Sequence, residues 1–232
     1  MFYYYDWTMI LLVPVIIFTI YAQAKVSSNY SRYSKIRTAR GITGSQAAQQ
    51  IMRANGISVP IEVIPGRLTD HYDPSKKVLR LSSAVAEGDS IASVAVAAHE
   101  VGHALQHAGG YVPIKIRGAI IPVVNISSKL AWPAIILGLI ISSAGRLQEG
   151  DTIFMIGIVL FAAVVLFHAV TLPVEFNASR RALAQLESLG IVYPEEKRGA
   201  KKVLSAAAMT YLAALAAALM QLIRLLLIRG RD

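Results

Sequence analysis

Residues 89–110 read DSIASVAVAAHEVGHALQHAGG. Everything else depends on whether this is a helix carrying a metal-activating pentapeptide or an apolar run in which two histidines happen to fall four apart. Asp89 or Ser90 can cap a helix start and Gly109-Gly110 can stop it, so a helix bounded by polar and flexible residues is predicted. On that helix His99 and His103 stand one turn apart, about 400° around, and both imidazoles leave the same face to close on one ion at about 2.0–2.1 Å. Glu100 lies ~100° from His99, where it cannot ligate from the same face but can accept a proton from an attacking water. Ala92, Ala95, Ala97, Ala98, Gly102 and Ala104 keep the helix slim enough for other elements to approach closely.

The chain around it is too apolar for an ordinary soluble domain. Of 232 residues 55% are hydrophobic and 16% charged, with a mean hydropathy of +0.51; soluble domains carry nearer a quarter charged residues. A multi-pass membrane protein is predicted. The absence of cysteine removes disulfides and thiolate ligands, so a metal must be held by His nitrogen and carboxylate oxygen. The formal charge of +9 reads as the Lys/Arg bias of cytoplasmic loops, not as a nucleic-acid surface, because no basic stripe interleaved with aromatics occurs.

Residues 1–24 are expected to form an N-terminal anchor. Residues 7–24 are free of charge, and Tyr3, Tyr4, Tyr5, Trp7 and Tyr21 stand where interfacial aromatics belong. A cleaved signal peptide is the rival reading, on Ala22-Gln23-Ala24. The preceding stretch carries Asp6 and no Lys or Arg, opposite to a signal peptide's basic start, which favours a retained anchor.

Residues 25–110 are expected to be a small cytoplasmic α+β module of zincin type. A helix should start at Thr43 or Gly44 and stop at Gly56; ISVPIEVIPG, RLTDHY and KVLRLSS read as strands, with DPSK turning the chain between the last two. Residues 111–173 read as an interfacial segment, broken by Pro113 and Pro122, and two membrane helices, the second being the uncharged residues 152–173. Residues 174–202 read as a cytoplasmic helix and a polar loop, and residues 203–232 as a last hydrophobic helix whose Gln221 and Arg224 leave its course open.

A catalytic zinc takes three protein ligands and keeps one position open. His107 lies about 12 Å along the helix axis from His99, too far to share an ion, and it follows His103 by four residues, not the six of the metzincin pattern. It reads as a substrate-side, supporting or surface group. Among eight glutamates, Glu175 stands out. It follows Pro173 directly after a membrane helix, between apolar Val174 and Phe176, where a charge would be buried and therefore paired or metal-bound. A carboxylate favoured at a helix start by the macrodipole is the alternative.

AAHEVGHALQH, with PVEFNASRRAL, the anchor segment YAQAKVSSNYSRYSKI and HYDPSKKVLRLS, resembles the YugP-type membrane zinc metallopeptidases of bacteria, from about Tyr4 to Arg231. The resemblance implies a Glu-zincin-like neutral peptidase with one zinc ion, His99, His103 and Glu175 as ligands and Glu100 as general base. A more distant likeness is to the HtpX and CAAX prenyl protease group. There an aspartate four residues after the ligand glutamate braces a zinc histidine; here that position is Ser179, and Asn177 is a second candidate. Arg180, Arg181, His71 and Tyr72 are chemical candidates for stabilising an oxyanion, and the KVLRLSS strand for an edge that pairs with an extended peptide.

The expected function is zinc-dependent endopeptidase activity at the cytoplasmic face of the cell membrane, with peptide or membrane-protein substrates and no nucleic-acid partner. Two alternatives stand beside it: a site-2-type intramembrane protease, and a membrane scaffold whose zinc is structural. The capped, polar-flanked helix and the lack of Asp in the later spans argue against the first, and the presence of Glu at position 100 against the second.

Overall fold

The computed structural model describes residues 6–229; the expected anchors Tyr3, Tyr4 and Tyr5, and Arg231, lie outside the described residues. A 3-10 turn over Trp7–Leu12 leads into α1 (Val13–Tyr33). Then come α2 (Gly44–Ala54), β1 (Ile61–Ile64), β2 (His71–Asp73), β3 (Val78–Ser82), the single turn α3 (Ser83–Ala86) and α4 (Ile91–Ala108). The long helices α5 (Val112–Ser143), α6 (Leu147–Ser188) and α7 (Pro194–Arg229) complete the chain. The helices over Trp7–Tyr33, Val112–Ser143, Leu147–Ser188 and Pro194–Arg229 are long and apolar enough to cross a membrane; α4 is not among them.

The fold divides into two compact units: one holds the chain up to Tyr21, residues 116–172 and the chain from Tyr211; the other holds 22–115 and 173–210. Within the first, Ala131, Ile135, Phe154, Ile158, Phe161 and Leu225 form an apolar cluster. Gly138 lets α5 and α6 meet at backbone distance: a Cβ there would lie 2.6 Å from Phe154 N and 2.8 Å from Gly150 O. Such small-residue contacts are how helices pack where lipid removes the hydrophobic drive between them. Charged residues of this unit pair with one another, Arg224 with Asp6 and Arg229 with Asp151 at 2.9 Å.

In the second unit α2 begins as expected, with Thr43 and Gln46 exchanging side-chain and backbone hydrogen bonds in a capping box, and ends before Gly56 at φ +66°. Ile51, Leu79, Leu81, Val85, Val94, Val101 and Leu186 are fully buried together. The sheet order is β1-β3-β2, with β1 parallel and β2 antiparallel to β3. Asp73 Oδ1 accepts from Ser75 N and Lys76 N, each at 3.0 Å, and fixes the β2–β3 turn. The Ser75 hydroxyl, which also donates to Oδ1, these backbone bonds and Arg80 hold the Asp73 carboxyl well below the usual carboxylate range.

Several sequence expectations change here. β3, KVLRLSS in the sequence, is the central strand and has no free edge; both of its sides are paired, and residues on both of its faces are buried. The free edges belong to β1 and β2. Pro173 lies inside α6, so Glu175 does not start a helix and owes nothing to a helix N-terminus. A proline costs one backbone bond, which neighbours in a packed or membrane helix re-satisfy. For the same reason α5 runs unbroken through Pro122 and Pro133. Residues 193–202, expected as a loop, begin α7: Pro194 sits at the first helical position and Glu195 and Glu196 in the first turn, where φ and dipole favour them.

α4 meets α6 at a glycine. A Cβ on Gly102 would lie 2.7 Å from the carbonyl oxygen of Ala178 and 3.2 Å from its Cα, backbone atoms that cannot move aside cheaply. Gly102→Ala should therefore cost ~1–3 kcal/mol, read as a lowered midpoint in thermal or denaturant unfolding of the metal-free protein; an unchanged midpoint would refute this contact.

Candidate metal centre

α4 starts at Ser90, whose hydroxyl accepts from Ser93 N. It is buried along Ala92, Ala95, Ala97, Ala98, Val101 and Leu105, and this orientation brings His99 and His103 to the side facing α6. Their rings meet edge to face, centroids 4.8 Å apart. Three residues past Glu175, Ala178 touches the Gly102 position, so α6 passes close enough for Glu175 to reach both imidazoles. Its carboxylate is 2% exposed, with Oε2 at 3.3 Å from His99 Nε2 and 3.5 Å from His103 Nε2.

Among the described residues, one ligand atom from each of His99, His103 and Glu175 can be chosen so that all lie within 4.8 Å of one another. Two donors each about 2.0–2.1 Å from a tetrahedral ion stand about 3.4 Å apart. The two imidazole–carboxylate distances match that spacing, and two nitrogens with one oxygen are the donor set of a catalytic zinc. A carboxylate this deeply buried also needs partners of opposite charge or an ion. The residues present therefore fit zinc.

Glu100 lies beside the cluster. Its Oε2 accepts from the backbone N–H of Tyr72 at 3.1 Å, so edge strand β2 orients it. Burial pushes its pKa up; the nearby imidazoles pull it down, and Glu175 and Asp70 push it up again, leaving it raised. For His103 burial works downward, but Glu175 and Glu100 outweigh it and raise the group.

The supporting candidates separate. Ser179 Oγ lies 3.2 Å from His99 Nδ1. Asn177 touches neither histidine; its Oδ1 accepts from Arg181 Nε at 2.8 Å and from Gln106 Nε2 at 3.1 Å. Arg181 also lies over the ring of Tyr111. Arg180 is exposed and stands about 140° around α6 from Glu175. His71 bonds to Thr69 O at 2.8 Å and approaches Arg80. The rings of Tyr72 and His107 pack against each other, 5.6 Å between centroids, on the wall of a cleft of about 400 Å³ shared with Ile57, Val59, Pro74 and Lys77.

Gln106 escapes a reading of the sequence. It is fully buried, and its Oε1 lies 3.0 Å from His103 Nδ1. The available signal was a glutamine three residues after the second histidine of the pentapeptide, in a helix rich in small and apolar residues.

A His-Glu-x-x-His helix joined by a glutamate from a second helix, with four helices among the described residues apolar enough to cross a membrane, has the arrangement of a membrane zinc metallopeptidase. The chain belongs to the neutral zinc metallopeptidase family, whose model, described as "Putative neutral zinc metallopeptidase", matches residues 8–230. It is 46% identical over 215 residues to the "Putative membrane protease YugP" of Bacillus subtilis (strain 168), covering 91% of this chain and 92% of that protein. No solved structure matches the chain significantly.

Proposed function

We propose that this protein is a membrane-bound, zinc-dependent endopeptidase in which His99, His103 and Glu175 hold one zinc ion and Glu100 is the general base. The observation that carries this reading is the buried Glu175 carboxylate at ligand-like spacing from both imidazoles, with Glu100 held beside them by the Tyr72 N–H. Zinc held there would supply a Lewis acid that polarises the scissile carbonyl and acidifies the attacking water. Glu100 takes the proton of that water and later delivers it to the leaving amine nitrogen.

An extended substrate pairs with the free edge of β2, the strand whose Tyr72 N–H already points at Glu100, and not with β3. The module acts at the cytoplasmic membrane face on peptides or on membrane-proximal segments of proteins. Residues 1–24, 111–173 and 203–232 are its lipid-embedded parts; residues 25–110 and 174–202 carry the chemistry. α4, whose own polar residues keep it from being apolar enough to cross a membrane, supports this reading over an intramembrane one.

The test is hydrolysis of an unfolded fluorogenic protein by the full chain, purified in detergent and loaded with zinc. Cleavage that stops with a chelator and returns on adding zinc is expected. A zinc-loaded, folded sample that leaves unfolded proteins and membrane-derived peptides intact would overturn the assignment.

A further inference from the structure

Gln106 sits at the centre of a chain of hydrogen bonds that runs from α6 into α4. Arg181 has only donors, so the Asn177 atom it meets at 2.8 Å must be the carbonyl oxygen Oδ1. That same oxygen faces Gln106 at 3.1 Å, which requires the Gln106 atom there to be the amide nitrogen. A second acceptor demands the same: the backbone carbonyl of Val174 lies 2.8 Å from Gln106 Nε2. Both N–H groups of Gln106 are thereby spent, and its amide cannot flip without setting oxygen against two oxygens. What remains is Oε1, an acceptor, 3.0 Å from Nδ1 of His103. An acceptor opposite Nδ1 requires a proton on Nδ1, and the neutral ring then carries its lone pair on Nε2, the nitrogen that lies 3.5 Å from Glu175 Oε2.

We propose that Gln106 is a positioning residue for His103: anchored by Val174 and by the Arg181–Asn177 pair, it fixes the ring's orientation and its Nδ1–H tautomer, so that Nε2 is presented to the metal. The inference rests on the zinc reading of the site. His99 is held differently. Its Nδ1 partner is the hydroxyl of Ser179, which can donate as well as accept and so dictates no tautomer. The two ligand histidines are thus unequal, one locked and one adjustable, and both are served by the same two turns of α6 that deliver Glu175.

The test uses the full-length protein in detergent or lipid discs. In the zinc-loaded parent, 15N spectra of labelled histidines should show His103 retaining its proton on Nδ1; a proton on Nε2 overturns the proposal without any variant being needed. Gln106→Met, close in shape but without the acceptor, should weaken zinc binding by about 10–100-fold in competition with a chromophoric chelator, the usual cost of losing an outer partner of a metal histidine. In the same variant the 15N shift of His103 Nδ1 should move, because its acceptor is gone, a change that a merely structural role of Gln106 would not produce. Parent-like zinc affinity in Gln106→Met, or a His103 Nδ1 shift unchanged in that variant, overturns the role of Gln106. If Glu175→Gln also binds zinc as the parent does, the failure lies with the zinc site itself.

Discussion

Glu175→Gln should lower zinc affinity by more than ~100-fold, beyond what loss of an outer partner costs, because it removes one of the three proposed ligands while leaving the shape of the side chain. The effect is large because the carboxylate is buried between two imidazoles and no other acidic group joins that cluster among the described residues. The amide is neutral and binds zinc poorly, yet its oxygen and nitrogen still find hydrogen-bond partners in the same cavity, so the helical content should persist. Zinc titration against a competing chelator, with circular dichroism as the control for folding, measures this. Equal affinity in variant and parent would detach Glu175 from the metal and return the site to two histidines, too few for a catalytic zinc.

Glu100→Gln should do the opposite: zinc affinity stays near the parent's while hydrolysis falls by ~10²–10⁴-fold, the usual worth of a positioned general base. Glu100 points its Oε2 at the Tyr72 N–H and is not one of the three clustered donors; Gln keeps an oxygen for that bond but cannot take up a proton. Undiminished cleavage by Glu100→Gln with zinc bound would remove Glu100 from the mechanism and revive the structural-zinc scaffold.

Much of this architecture was legible because it is written in local periodicity. His99, Glu100 and His103 fall within five consecutive residues of one helix, and their geometry follows from 3.6 residues per turn. The caps at Thr43 and Ser90, and the Asp73-Pro74 turn, are contacts within a few residues of one another. Apolar runs announce the long helices by composition alone. Proline misled in the opposite way: Pro122 and Pro173 suggest breaks, yet each is absorbed within a long helix. A local penalty of one hydrogen bond is outweighed when the flanking turns are held by their surroundings.

The sequence by itself determined the pentapeptide helix, the strands that precede it and the apolar stretches on either side, since each depends on neighbours along the chain. Only the tertiary structure decided that β3 lies in the middle of its sheet, that Gly102 admits Ala178, and that Gln106, Asn177 and Arg181 stand in line behind His103. Those partners are some seventy residues apart in the chain. No spacing rule joins them; close packing of α4 against α6 does, through the missing side chain of a glycine.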